Sequence, residues 1–129
     1  MEKDKYIRLY ADFDNYKKRC EKEKQDIIKN ANEDIIIKLL TTLDDLERGI
    51  NIDKDNGGML LIYNNLLNIL KQYGLTEIQV YKGDSFNSDY HHAISTSKSK
   101  DKNKIVDVLQ KGYMMGNKVI RHTMVVIGN

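Results

Sequence analysis

From Tyr6 to Ile50 the apolar positions fall at steps of three and four: Leu9, Phe13, Tyr16, Cys20, Ile27, Ala31, Ile35, Leu39, Leu43, Leu46 and Ile50. No proline occurs in this span, and no glycine precedes Gly49. Counting the skipped step at Lys24, the mean spacing is about 3.7 residues, near the roughly 3.67 of an 11-residue repeat and above the 3.5 of a heptad. One continuous helix keeps such positions on one side. At 1.5 Å per residue it would run roughly 60–65 Å. A small chain offers so long a helix little to bury its stripe against, so the simplest remedy is a second copy alongside, in a parallel or antiparallel pair. The alternative is a single charged helix folded back on a small bundle. The stripe is weakest in its N-terminal half, where Lys24 interrupts it and Cys20 and Ala31 are small.

The segment "NIDKDNGG" (Asn51 to Gly58) breaks the pattern with turn formers. A second helix is predicted in "MLLIYNNLLNILKQYG", with Met59, Ile62, Tyr63, Leu66, Leu67, Leu70 and Tyr73 as a broad apolar face and Gly74 at its C-terminal cap. Two such helices per chain, doubled, make a four-helix bundle. Beyond Gly74 the period shortens. Ile78 and Val80 alternate in "EIQVYKG", "HAISTSK" reads as a weak strand, and "NKIVDVLQKGY" and "KVIRHTMVVI" read as stronger ones rich in β-branched residues. On the last, His122 would share a face with Ile120, Met124 and Val126 and lie half-buried. Turn signals stand at Gly83-Asp84, Lys98 to Asn103 and Gly116-Asn117. The expected class is α+β. It comprises a long helix over 1–50, a loop and bundle helix over 51–74, and a small, mostly antiparallel β-domain over 75–129, marginal alone.

Composition narrows the function. Charged residues make up 31% of the chain and apolar ones 40%, which favours an elongated shape or an oligomer over one large core. A net charge of +2, with acids and bases nearly balanced, argues against nucleic-acid binding. No window approaches the roughly 20 apolar residues of a membrane span, so no membrane is expected. The opening "MEKDKYIRLY" has neither the apolar run of a signal peptide nor the composition of a transit peptide. The single cysteine, Cys20, excludes an internal disulfide framework and fits a reducing compartment.

Candidate chemistry is sparse. His91 and His92 on a strand would point to opposite faces with no further ligand at metal spacing, which makes a structural or turn histidine the reading and leaves no metal site. Cys20 lacks a base to activate it and reads as a small hydrophobe. Gly83-Asp84-Ser85 lacks the flanking pattern of a nucleophile elbow, and no glycine-rich phosphate loop occurs. No catalytic residue and no cofactor are expected; the chain does not read as an enzyme. Acids interleave the basic cluster "NYKKRCEKEK" (Asn15 to Lys24), which suits a solvated helix face or a protein-docking patch.

The stretches "DKYIRLYADFDNYKKR", "LLTTLDDLERGI", "IYNNLLNILKQYGL", "FNSDYHHAI" and "VLQKGYMMGNKVIRHTMVVI" together resemble the GrpE family, nucleotide exchange factors of DnaK-type chaperones. The last stretch carries the family signature. The resemblance implies a homodimer with paired long helices, a four-helix bundle and one compact β-domain per chain. With the stripe and the α2 face, the expectation is a parallel homodimer with Leu39, Leu43, Leu46, Leu66 and Leu70 at its interface. The resemblance also implies that the β-domain docks on the chaperone's nucleotide-binding domain and opens its cleft, so that ADP leaves. A partner that prefers the open state must weaken the nucleotide that closes it. Carried over by motif, Phe86, Leu109, Lys118 and Ile127 would face the chaperone from the β-domain, and Lys17 and Arg48 from the helices. The alternative is a structural coiled-coil adaptor without exchange activity.

Thr41, Ser88 and His122 stand where the family usually has proline, and His92 where it often has an acid. The family's disordered N-terminal segment has no counterpart here, as truncation or processing would leave it. The implied compartment is the cytoplasm of a bacterium, or a mitochondrial matrix or plastid stroma after presequence removal.

Overall fold

In a computed structural model that describes residues 2–129, helix α1 spans Glu2–Ile52 and helix α2 spans Gly57–Gln72. α1 continues past Thr41 without a break, as expected where no proline removes a backbone donor. Only a short turn then separates it from α2, closed by the Asn56 N–H donating to the Asp53 carbonyl at 3.2 Å. Asn56 also caps α2: its side-chain oxygen accepts from the Met59 N–H at 3.0 Å, satisfying a donor that the first helical turn leaves without a partner. The other end closes at Gly74, whose φ of +100° suits a residue without a Cβ and lets its N–H reach the Lys71 carbonyl.

The chain divides into two compact units, Met1–Ile35 and Ile36–Asn129. Among its described residues the first unit is the N-terminal part of α1 alone. Its stripe residues Leu9, Phe13, Tyr16 and Ile27 stand exposed, and ion pairs such as Lys18–Asp14 at 3.1 Å run along its surface.

The second unit holds a core built from Ile36, Leu40 and Leu43 of α1, Tyr63 and Leu70 of α2, and Leu75, Tyr113 and Met115. Here the buried stripe is displaced by one residue at its start, Ile36 and Leu40 replacing Ile35 and Leu39, and rejoins the expected one at Leu43, with Leu46 and Ile50 packed against the core. Ile36 is 4% exposed and Leu40 is buried, whereas Ile35 is 59% exposed and Leu39 half-buried. The cause is the run "IIIKLL", which is apolar on more than one face, so spacing alone does not fix which side packs inward.

Six strands follow among the described residues: β1 (Leu75–Glu77), β2 (His91–Ser97), β3 (Ile105–Gln110), β4 (Tyr113–Met115), β5 (Lys118–Arg121) and β6 (Thr123–Gly128). They form two three-stranded sheets, ordered β1-β4-β5 and β2-β6-β3. All pairings are antiparallel except β2 with β6. The Ile78–Val80 segment is not a strand; Ile78 instead donates its N–H to the Gly112 carbonyl at 2.9 Å and packs inward.

The expected single strand 118–127 divides at His122, where the chain passes from one sheet to the other. His122 is consequently exposed and shares no strand face with Ile120, Met124 and Val126, which corrects its expected half-burial. Thr123 and Val125 take the buried positions on β6 instead. No helix of the described residues is long and apolar enough to cross a membrane.

Leu43 is 0% exposed and lies at the centre of the second unit's core. Leu43→Ala should lower unfolding free energy by about 2–5 kcal/mol, the range for emptying a buried leucine site. Urea denaturation followed by circular dichroism measures it; a loss within about 0.5 kcal/mol, as at an exposed surface site, would place Leu43 outside the core.

Candidate functional site

One concave feature of the second unit is a groove of about 620 Å³ along the C-terminal part of α1 and the strands. Its walls include Asp44, Glu47 and Arg48 of α1, Glu77 of β1, Leu109 and Gln110 of β3, and Lys111. Fixed polar contacts hold it open. The Arg121 guanidinium, entering from β5, grips the Asp44 carboxylate with two hydrogen bonds of 2.6 and 2.8 Å. The same guanidinium donates from Nε and Nη2 to the Lys111 carbonyl at 3.0 and 2.6 Å, and lies 5.2 Å from the Tyr113 ring centre. Gln110 Nε2 adds a third donor to Asp44 at 3.0 Å. The planar fork of arginine matches a carboxylate in this bidentate way, and the flat cation also stacks on an aromatic face.

Lys111 sits at the junction of a second set. Its ammonium lies 3.2 Å from Glu47 Oε1 and 3.7 Å from Glu77 Oε1, and donates to the Tyr63 hydroxyl at 3.3 Å. Burial alone would pull its pKa down. The hydrogen bond to Tyr63 and the two carboxylates outweigh that and hold it above the ordinary lysine value, so Lys111 stays charged. Tyr113 is raised as well: burial pushes its phenol far above its usual range, so it stays neutral. Each acid named here is thus spent on a cation. Such an arrangement fixes surfaces in place and provides no base or nucleophile poised to react.

Leu109 stands at the rim and is 53% exposed. Its strand explains why. β3 pairs Val108 with Val125 and Gln110 with Met124, so the register shifts around Leu109 and leaves it in a bulge. A bulge redirects a side chain that strict alternation would have set against the neighbouring strand's row. Arg48 shares the groove; its side chain is largely exposed and pairs with Asp45 at 2.7 Å within the helix. Leu109 and Arg48, proposed as contacts by motif, therefore line one groove.

The remaining candidates lie elsewhere. Phe86 is half-buried in the loop before β2, with its N–H on the Asn103 carbonyl at 3.1 Å. Ile127, half-buried on β6, is registered opposite Ile105. The backbone of 103–105 thus carries both Phe86 and Ile127 at one end of the second sheet. Lys118 is exposed beside the Gly116-Asn117 turn of the other sheet, and Lys17 is exposed on α1 in the first unit. Of the expected interface leucines, Leu39, Leu46 and Leu66 are half-buried, whereas Leu43 and Leu70 are 0% and 3% exposed. Those last two pack in the chain's own core.

His91 opens β2 as a buried residue whose Nδ1 accepts from the Asn87 N–H at 3.0 Å; its ring lies 5.9 Å from that of Phe86. Burial lowers its pKa, helped by His122 and opposed by Asp84, and an accepting Nδ1 requires the neutral imidazole. The histidine thereby props the Phe86 loop.

Asp44, Gln110, Lys111 and Arg121 carry the groove yet drew no notice in the sequence. The Asp44–Arg121 pair joins positions 77 residues apart; both lie in stretches that carry the family resemblance, but nothing local marks them as a pair.

These features define an α+β protein whose polar groups fix the walls of one groove. The family model for GrpE matches residues 1–129. The chain is 42% identical to Protein GrpE of Bacteroides fragilis, over 98% of this chain and 70% of that relative. It is also 42% identical to Protein GrpE of Methanosphaera stadtmanae, over 95% of this chain and 73% of the relative. For Protein GrpE of Fusobacterium nucleatum the identity is 40%, over 97% and 66%. The chain belongs to the GrpE family, the nucleotide exchange co-chaperones of DnaK-type chaperones.

Two outcomes test the site's physics. The Asp44 and Arg121 side chains are only 14% and 19% exposed, so Asp44→Ala leaves a cation largely removed from water. The cost should be about 2–3 kcal/mol, hydrogen bonds to charged groups contributing about 1.5–3 kcal/mol. A double-mutant cycle with Arg121→Ala should return a coupling of at least about 1 kcal/mol; additivity would show the pair to be idle.

For His91, the unfolded chain takes up a proton as pH falls through the ordinary 6.5 while the native imidazole still resists. The unfolded state then binds more protons, so stability falls with acidification below that pH and is level above it. Urea midpoints between about pH 8 and 5 should show this slope, and His91→Gln should reduce it. An unchanged slope would mean that His91 titrates alike in both states.

Proposed function

We propose that this chain docks on the nucleotide-binding domain of a DnaK-type chaperone, holds its cleft open and speeds ADP release. The observation that carries the reading is the groove that sets an outward-turned Leu109 beside Arg48. An apolar anchor with a cation at its edge is the composition of a protein-docking hot spot, the anchor giving affinity and the charge orientation. Phe86 and Ile127 supply further apolar contact, and Lys118 and Lys17 pair with acidic positions of the chaperone. Opening needs no covalent step. The docked surface need only bind the open cleft more tightly than the closed one, and the nucleotide that closes it is weakened by the same factor.

The working unit in this reading is a parallel homodimer, with 1–50 as the dimerisation helix, 51–74 as the bundle segment and 75–129 as the docking domain. Support comes from apolar surface that one chain leaves uncovered: the stripe Leu9, Phe13, Tyr16 and Ile27 on α1, and Leu61, Ile62 and Ile69 on α2. Leu39, Leu46 and Leu66, half-buried, join that surface. Apolar stripes of this extent on a soluble helix are normally covered by another helix.

Stopped-flow release of a fluorescent ADP analogue from the chaperone tests the function, with light scattering of the same sample for mass. The sample should scatter as twice the 15.0 kDa chain and accelerate release. Leu109→Ala should weaken binding roughly 10- to 30-fold, as loss of an apolar anchor worth about 1.4–2 kcal/mol, with helical circular dichroism unchanged. A dimer that leaves ADP release at its spontaneous rate would favour a structural adaptor, and a monomer would remove the proposed architecture.

A further inference from the structure

The connection between β2 and β3 reads "SKSKDKNK" over residues 97–104, with a lysine at every second position. Four lysines against one aspartate give this segment +3, whereas all 129 residues together carry +2. The rest of the chain is therefore net −1, and the protein's positive excess is confined to one loop. Lys98, Lys100 and Lys102 are exposed, and no ion pair ties any of them to an acid among the described residues. A solvated charged face would interleave acids with these bases, as the helix does around Lys17 to Lys24.

The loop is also built, and built against the docking end of the domain. The Asp101 N–H donates to Ser99 Oγ at 3.2 Å, and Asn103, at φ +62°, turns the chain back into β3. The Asn103 N–H reaches the Gly128 carbonyl, the Asn129 N–H reaches the Ser97 carbonyl, and Lys104 Nζ donates to Ser85 Oγ at 2.7 Å. Gly128 is required by this packing, since any Cβ there would strike the Asp101 carbonyl oxygen. Through the Phe86 N–H on the Asn103 carbonyl, and the Asn103 N–H on the Gly128 carbonyl one residue after Ile127, the loop's backbone is tied to the segments that carry Phe86 and Ile127.

From this placement we infer that the Lys98–Lys104 loop is an electrostatic docking element for an acidic surface of the partner chaperone, continuous with the Phe86–Ile127 end of the β-domain. The inference rests on the exchange-factor reading and extends it to residues outside that reading. A protein partner fits better than a nucleic acid or a lipid surface. The cations are a single cluster flanking an apolar end, the layout of a protein interface with a charged rim, whereas a phosphate backbone or an anionic bilayer is gripped by cations spread along a stripe or face. Charges at such a rim act mainly on the encounter, raising the association rate in a salt-dependent way and leaving the bound geometry to the anchors.

The test uses the full chain and the chaperone's nucleotide-binding domain. Association rates and ADP-analogue release are measured across a series of NaCl concentrations for the wild type, for Lys98→Ser/Lys100→Ser/Lys102→Ser, and for Lys100→Glu. Lys104 is left in place because it bonds Ser85. A control, Lys3→Ser/Lys22→Ser/Lys29→Ser, removes equal charge from the first unit. In the loop triple variant the association rate at low salt should fall about 5- to 10-fold, with a flatter salt dependence. The maximal release rate at saturating concentration and the circular dichroism should stay unchanged, Lys100→Glu should shift the rate in the same direction, and the control should stay near wild type.

If the wild type accelerates ADP release but the loop variants associate at its rate, the loop is not a docking element. An equal loss in the control reduces the effect to bulk charge and overturns the proposal. So does a loop-dependent affinity for single-stranded DNA or phosphatidylserine vesicles that exceeds the affinity for the chaperone. A wild type that neither binds nor accelerates release removes the exchange reading, and this inference with it.

Discussion

One ion pair sets the geometry on which the second unit depends. Asp44 comes from the long helix and Arg121 from the strand that precedes the change of sheet, and their bidentate contact ties a helix to a β-domain. A small sheet domain of this size buries little of its own, so the apolar core it shares with α1 and α2 must be held in one register. Hydrophobic contact is non-directional and would tolerate sliding. The fork-to-carboxylate contact is directional, and a second acceptor, the Lys111 carbonyl, fixes the arginine's other edge. Lys111 then inherits a defined position between Glu47, Glu77 and Tyr63. The groove walls follow from that chain of contacts.

What the sequence made legible was whatever repeats with a period. The α1 stripe, the turn after it and the α2 face were readable because helices place every third or fourth residue on one side. The change of period after Gly74 correctly announced strands. Where two competing solutions share one pattern, reading failed. In "IIIKLL" several faces are apolar, and the partners in the shared core, from α2, β1 and β4, decide that Ile36 and Leu40 turn inward. At His122 a run of β-branched residues looked continuous, and nothing local announced that the chain would leave one sheet for the other.

The candidate site was legible only through resemblance. Leu109 lies in a bulge, which breaks the alternation that a pattern argument uses; Leu109 was reached by motif and not by chemistry. Asp44 and Arg121 look like any solvated acid and base until the fold brings them together across 77 residues. His91 was expected to be structural from the geometry of adjacent histidines on a strand. Its role as acceptor for the Asn87 N–H depends on a loop shape that composition does not encode.

The order of the second sheet has a consequence for how the domain comes into being. β6 lies between β2 and β3, and those two strands have no ladder with each other. During synthesis β2 and β3 emerge first, each with an unsatisfied edge and no neighbour to receive it. Only when β6 follows can either ladder form, one parallel and one antiparallel. Until then the half-made sheet offers two open strand edges to any other chain nearby, the state most prone to wrong pairing. A protein that assists folding machinery thus carries a second sheet whose outer strands must wait for their middle.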